Sequence, residues 1–382
     1  MAKNKLIITT FLFFVSFDHY FQKEVTIDGP IEAHLKNEFF EIQQIFSGER
    51  FPNVVVTPKG AIIATWGSST LKSRVSMDGG KTWSDTLQIA KPGFQSGGLT
   101  VNDFTGEVIA FSEAHHPPAD KSVYLSKNQG LEWSKIPAEF KTDNRGNIPD
   151  FHMNGNGITL HNSRYRGRLI RPSRYYAGKN DRSMWPKHYT TASYSDDGGK
   201  TWIPSEPFPG FGFGEASIIE LSNGTLYYNS RRHWAPANES PLKRWIATSV
   251  DGGHSWTDIK MSQILPDGPQ DTNYGCMGGL TRLPVAGMDI ILYSNCDSPS
   301  GRNKGTVWAS FDGGNSWPIK RRIFEGNFAY SSMDAGRPRT ITEGRIYLNF
   351  EGGPKGGSNM AIFNLTWVLK GEKTGNGVVP NL

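Results

Sequence analysis

An octapeptide of the form Ser-x-Asp-x-Gly-x-x-Trp recurs along this chain and constrains its fold more than any other feature. It reads SMDGGKTW from Ser76 to Trp83, SDDGGKTW from Ser195 to Trp202, SVDGGHSW from Ser249 to Trp256 and SFDGGNSW from Ser310 to Trp317. A fifth copy, SKNQGLEW from Ser126 to Trp133, carries Asn128 in place of the Asp. Successive copies start 50, 69, 54 and 61 residues apart, which leaves room for about four strands of five or six residues per unit. Each octapeptide is read as a hairpin turn. The Asp side chain accepts backbone N–H groups, the Gly pair supplies positive φ, and the Trp fills the space beside the strand. The boxes are therefore structural, and their aspartates receive no catalytic role.

Between the boxes run β-branched and aromatic segments such as NVVVTPKGAIIATWG, EVIAFSEA and RIYLNFEGG, punctuated by Gly, Asn or Asp. No helical stripe of comparable length competes. Forty-three Gly, 23 Pro, 22 Phe, 13 Tyr and 11 Trp in 382 residues suit many short strands and tight turns and exclude a disordered or coiled-coil chain. The expected fold is all-β: a six-bladed β-propeller of four-stranded antiparallel blades, forming a single domain over residues 23–382. Five box-bearing blades are followed by a sixth after Trp317, which a strand from Gln22 to Gln44 completes.

Two cysteines exclude a disulfide scaffold and any Cys/His metal cluster, so neither a metal nor a cofactor is expected. The net charge of +5 comes from 41 Lys and Arg spread among 36 Asp and Glu. With no basic run or recognition motif, nucleic acid is not an expected partner. Residues 1–22 hold Lys3 and Lys5 ahead of an apolar run from Leu6 to Phe17, too short to span a bilayer comfortably. This reads as an export signal or an N-terminal anchor, since no A-x-A-like cleavage site follows it. The protein is expected to be exported, periplasmic or secreted, monomeric, and without any other membrane span.

The repeated boxes together with RFP at Arg50–Pro52 resemble the sialidase superfamily, and the resemblance runs from about Arg50 to Glu351. RFP resembles the family's arginine motif, with Phe51 where an aliphatic residue is usual. GEASIIELSNGTLYYNSR resembles the segment in which a glutamate precedes an arginine ending the next strand, giving Glu215 and Arg231. Arg302, eight residues ahead of the last box, resembles the third arginine. AYSSM followed by YLNFEGG resembles the terminal tyrosine and glutamate, giving Tyr330 and Glu351.

The resemblance implies an exo-acting glycoside hydrolase acting on a 2-keto-acid sugar such as sialic acid. Such a sugar carries a carboxylate on its anomeric carbon, and three guanidinium groups would fix it through charge-assisted, often bidentate hydrogen bonds. An anionic nucleophile would be repelled by that carboxylate, whereas a neutral Tyr is not; a nearby Glu must then take its proton. The family is a known tyrosine exception among glycosidases. It implies Tyr330 with Glu215 as that couple, Arg50, Arg231 and Arg302 as the carboxylate clamp, and Glu351 as the carboxylate that holds Arg50.

One departure matters. The family places an aspartic acid, its general acid and base, between the first blade's early strand and its box, but TWGSSTLKSRVS has no carboxylate between Thr65 and Ser76. Ser68, Ser69 and Thr70 cannot protonate a leaving group near neutral pH. The second blade offers SEAHHPPADK, with Glu113, His115, His116 and Asp120, and the next stretch adds Asp150 and His152. Histidine fits best on pKa, and His116, stiffened by the two prolines after it, is preferred over His115 and Asp150. The missing Asp keeps other readings open: a lyase or inverting hydrolase on another acidic glycan, or a propeller that binds carbohydrate without turnover.

The segment RPSRYYAGKNDRSMWPKHY, Arg171 to Tyr189, accounts for the longest box spacing. Tyr175, Tyr176, Trp185 and Tyr189 are candidates to stack on sugar faces, and Arg174, Lys179 and Arg182 to meet anionic groups; a loop packed on the next blade is the competing reading. Cys276 and Cys296 are equidistant from Ala286 and face each other across two strands, where two thiols are expected because a cross-strand disulfide is often strained.

Overall fold

The computed structural model describes residues 27–178, 181–234, 242–271 and 275–382; the candidate export segment at 1–22 and Lys179 lie outside them. The described residues form five hydrogen-bonded sheets in a propeller-like arrangement. The first contains strands Asn53–Val56, Ile62–Trp66, Leu71–Ser76 and Leu87–Ala90, in that order. The second is built on Val108–Glu113 and Lys121–Ser126, the third on Leu169–Tyr175 and Tyr189–Ser195, and the fourth runs from Phe213–Glu220 to Thr257–Pro266.

The last sheet has eight strands, and one 17-residue strand, Ile319–Ala335, joins its two halves. The first part of that strand pairs with Asn303–Ser310, and the part from Phe328 onward pairs with Ile346–Gly352. Phe40–Phe46 completes this sheet by pairing antiparallel with Ser358–Phe363. The closing strand thus starts at Phe40, well after Gln22. Upstream of it, Gly29 bridges to Val285, and Pro30, which has no N–H to donate to a ladder, precedes a 3₁₀ turn at Ile31–Ala33.

Each box lies between the third and fourth strands of its unit, and its hydrogen bonds are nearly identical from copy to copy. Ser76, Ser195, Ser249 and Ser310 donate to Asp78, Asp197, Asp251 and Asp312 at 2.7–2.8 Å, and each Ser accepts from the N–H of the second glycine. Trp202, Trp256 and Trp317 are buried, whereas Trp83 and Trp133 are partly exposed.

The second glycine also faces the preceding unit. A Cβ on Gly80 would meet Ile362 Cδ1 at 2.4 Å, on Gly199 Ile109 Cδ1 at 2.4 Å, on Gly253 Ile170 Cδ1 at 2.1 Å, and on Gly314 Tyr227 Cε2 at 2.5 Å. Every box therefore staples its unit to the one before it, and Gly80 closes the circle onto the last. Apolar clusters fill the same seams, for example Phe111, Phe151, Leu169 and Trp202 between the second and third sheets.

Around the axis the innermost segments are laced together. Leu99 N donates to Asn53 Oδ1, Ala216 N to Asn154 Oδ1, Ser217 Oγ to Gly278 O, Gly279 N to Ser331 Oγ, and Asn53 Nδ2 to Ser332 Oγ. Because strand direction alternates within each unit, the residues just before first strands and those at the ends of second strands share one end of the ring. The boxes occupy the other.

Candidate active site

Tyr330, in the second half of the long strand, is buried, and its hydroxyl donates to Glu215 Oε1 at 2.6 Å. Glu215 comes from the start of Phe213–Glu220, and its other oxygen accepts from Arg231 Nη1 at 2.7 Å. Burial disfavours the Glu215 anion, but Arg231 and Arg174 outweigh it and hold its pKa below the usual range. Burial and the Glu215 charge raise that of Tyr330. At rest the proton therefore sits on the tyrosine and the charge on its partner, as a neutral nucleophile with a base in contact requires.

Three arginines surround this pair. Arg50 Cζ lies 5.0 Å and Arg302 Cζ 5.2 Å from the centre of the Tyr330 ring. Arg50 follows Glu49 at φ 49° and precedes Phe51 at φ 74°. These two departures, one on each side of Arg50, cost about 1–3 kcal/mol each and must be held by their surroundings. Glu351 does so: it accepts from Arg50 Nε at 3.1 Å, Arg50 Nη2 at 3.0 Å and the Phe51 N–H at 3.0 Å. Arg50 still keeps 43% of its side chain exposed, so it can meet a ligand at the mouth.

Arg302 donates to Gly275 O at 2.9 Å. Arg231 is fully buried, with Asp267 Oδ2 4.0 Å from its Nε. Asp267 is in turn bound by Arg244 Nη1 at 2.9 Å. Burial pushes Asp267 up to about 6, against the pull of Arg244 and Arg231. Arg244 and Asp267 lie outside the motifs that the sequence offers. The available signal was a charged residue inside an apolar strand, RWIATS, where nothing but a buried partner justifies an arginine.

The structure brings Tyr330, Glu215, Arg231, Arg50, Arg302 and Glu351 together at one end of the ring. The proton-donor candidates fare differently. His115 is exposed, with Nδ1 2.9 Å from His116 O. Asp150 is buried and bound to Lys121 Nζ at 2.9 Å, so its carboxylate is committed to a partner. His116 is half-buried, with Phe94, His152 and Tyr176 rings 5.8, 5.0 and 5.3 Å away. Burial, then the nearby Arg174 and His115 charges, lower its pKa.

The loop that lacks the family's aspartate holds another carboxylate. Glu49 Oε2 accepts from Ser68 N and Ser69 N, each at 2.9 Å, and Oε1 from Lys72 Nζ at 2.5 Å. Burial opposes the anion, but Lys72 and the loop donors bring Glu49 down to about 2. It braces the loop and is too acidic to protonate a leaving group.

The insertion is mostly packed. Tyr176, Trp185 and Tyr189 are buried, and the Tyr189 hydroxyl donates to Asp143 Oδ2 at 2.6 Å, so these rings offer no exposed face for a sugar to stack on. Arg171 is buried against Phe111 and Phe151, and Arg182 is exposed. Cys276 and Cys296 are buried free thiols, their Sγ atoms 3.8 Å apart.

A family model described as BNR repeat-like domain matches residues 98–338. The chain belongs to that family. Among named relatives of this BNR repeat-like protein, a sialidase from Micromonospora viridifaciens is 29% identical over 360 residues, covering 85% of this chain and 52% of the relative. A sialidase from Bacteroides fragilis is 25% identical over 76% of this chain and 58% of its own length. The chain thus spans little more than half of either. In fold it is similar to the Hadza microbial sialidase Hz136, with a TM-score of 0.62 at 22% identity over 84% of this chain and 66% of that one. The intramolecular trans-sialidase from Ruminococcus gnavus also gives 0.62, at 16% identity over 84% of this chain and 95% of that one.

Proposed function

We propose that this BNR repeat-like protein is a retaining exo-glycoside hydrolase of sialidase type, acting on a terminal 2-keto-acid sugar such as sialic acid. The observation that carries the reading is the 2.6 Å hydrogen bond from Tyr330 to an ion-paired Glu215, with Arg50 and Arg302 flanking the tyrosine ring. The substrate carboxylate lies among Arg50, Arg231 and Arg302. Tyr330 Oη bonds to the anomeric carbon as its proton passes to Glu215, and the glycosidic oxygen leaves with a proton from His116. Water then displaces Tyr330 and restores both groups. The eight-stranded sheet is read as two blades sharing one strand, so that six blades surround the site.

Replacing Tyr330 by Phe removes one hydroxyl from a site built by several sheets. Turnover falls on the order of 10⁴-fold or more, with sugar binding by calorimetry nearly kept. A fluorinated acidic sugar trapped on the wild type maps to Tyr330, and an adduct on another residue overturns the nucleophile. The locked Glu49 in the aspartate-less loop favours one second reading, a propeller that binds acidic sugars without turning them over. Binding without any product detectable by NMR would select it.

A further inference from the structure

Arg174, near the end of Leu169–Tyr175 and only 4% exposed, differs from the other buried arginines. Arg231 meets Glu215, Arg244 meets Asp267, Arg168 meets Asp196, and Arg171 donates to Ser96 O and Thr100 Oγ1. No hydrogen bond or ion pair joins the Arg174 guanidinium to a described residue; its Nε is buried without a partner among them, the Tyr176 ring lies 4.0 Å from Cζ, and Gly214 packs against Nη1. Its backbone is fixed by the bridge to Asp150, with hydrogen bonds of 2.7 and 2.9 Å.

Two neighbouring polar atoms are equally unmatched. Tyr176 Oη and His152 Nε2 are buried without a partner among the described residues, in side chains 3% and 0% exposed. His152 Nδ1 faces Gln95 O at 3.1 Å; that contact places the proton on Nδ1 and leaves Nε2 an acceptor. Tyr176 is the hub, with the His116, His188 and His152 rings 5.3, 4.9 and 6.1 Å from its own.

A buried charge without a counter-ion is strongly unfavourable. Arg174 keeps its proton, its pKa lowered by burial only to about 10, with Glu215 and Tyr330 favouring the charge. The histidines around it are neutral rings that neither balance nor add to this charge. Burial first, with the Arg174 charge a further cause, keeps His116, His152, His188 and His233 below their ordinary pKa. Nearby, Arg50, Arg231 and Arg244 are matched one for one by Glu351, Glu215 and Asp267. Arg174 has no such carboxylate among the described residues, and the site offers a guanidinium and a phenol that donate and an imidazole that accepts.

We propose that Arg174, with Tyr176 and His152, is a second anion-recognition point, which takes an oxyanionic substituent of the sugar beside a hydroxyl, in addition to the carboxylate held by Arg50, Arg231 and Arg302. This rests on the reading of the site as an acidic-sugar site, and it specifies the substrate class: a 2-keto-acid sugar bearing a sulfate ester, a phosphate ester or a further carboxylate. A planar guanidinium suits such groups better than an ammonium.

The test is calorimetry on the full chain with sialic acid, with sialic acids O-sulfated at each hydroxyl in turn, and with inorganic sulfate. The wild type is expected to prefer one sulfated sugar over the parent by tenfold or more, and Arg174→Gln to bring that ratio to about one. Tyr176→Phe, which removes only the unpartnered hydroxyl, lowers it about threefold and carries the test if Arg174→Gln does not fold. No preference for any sulfated isomer, or a preference that survives both variants, overturns the proposal. If no sugar binds at all, the acidic-sugar reading fails by itself and inorganic sulfate decides this one: binding removed by Arg174→Gln supports the second anion point, and no sulfate binding refutes it.

Discussion

At the box end, Asp78, Asp197, Asp251 and Asp312 each accept the N–H four residues on, at 2.9–3.0 Å, and the hydroxyl of the Ser two residues back. At the opposite end Arg174 Nε, Tyr176 Oη, His152 Nε2 and Glu113 Oε2 are buried with no partner among the described residues. The first set completes a local turn within eight residues. The second is spread over the ends of two strands, at Glu113 and Arg174–Tyr176, and the turn at His152, and the surrounding protein holds it without satisfying it. The contrast is between a turn whose aspartate is satisfied within eight residues and a group of buried polar atoms that their surroundings leave unmatched, a condition that calls for an explanation.

The end opposite the boxes gives the largest expected effect. If His116 supplies the proton, His116→Ala should cost about 10²–10⁴ in turnover of a natural glycoside. A nitrophenyl glycoside, whose leaving group needs no proton, should be affected little. The pair of rates is the measurement. Equal losses on both substrates would remove His116 as the donor, and a selective loss in Asp150→Ala would move that role to a residue now bound to Lys121.

Glu113 tests whether burial at this end is truly unbalanced. It accepts from Ser96 Oγ at 2.6 Å, and burial, with Asp150 adding to it, pushes it up to about 8. The folded chain then holds a proton that the unfolded chain releases near pH 4.5, so the group's contribution falls as pH rises from 4.5 toward 8. Glu113→Gln keeps the shape of the neutral acid and removes that dependence. Its stability advantage over the wild type, from urea melts at pH 5 and pH 8, should grow on the order of 3 kcal/mol over that range. A constant difference would mean that Glu113 is ionised in the fold and matched after all.

The same contrast explains what could be read in the sequence. Box turns are local, and Ser76 to Trp83 contains almost every group that satisfies it, so its hairpin was legible from eight letters. The Tyr330–Glu215 contact spans 115 positions and was approached only through resemblance; no local pattern joins the two. The sequence suggests a closing strand from Gln22, but Pro30 and the 3₁₀ turn delay it to Phe40. The insertion looked like a sugar platform because it is aromatic, yet Asp143 and the neighbouring sheets take up Tyr189 and its companions. The bracing role of Glu49 was invisible, because a carboxylate beside a motif arginine says nothing about a loop 20 residues away until the chain turns back.

The smallest effects belong to the box end, where they separate two glycines that look equivalent in sequence. In the third box Gly198 has φ 76° and nothing within 4 Å of a Cβ, whereas Gly199 has φ 92° and meets Ile109 Cδ1 at 2.4 Å. The degenerate box already makes the distinction, with Gln129 at φ 63° in the first position and Gly130 retained in the second, where a Cβ would lie 2.7 Å from Ile63 Cδ1. Gly198→Ala therefore pays for backbone strain alone, about 1 kcal/mol. Gly199→Ala adds the displacement of Ile109 from a packed seam, for a total of about 2–3 kcal/mol. Chemical denaturation should show that order while kcat/KM for the proposed sugar substrate stays unchanged in both variants, since both positions lie at the end away from Tyr330 and Glu215. Equal losses would mean that the second glycine serves only its backbone angle and that the boxes do not staple one unit to the next.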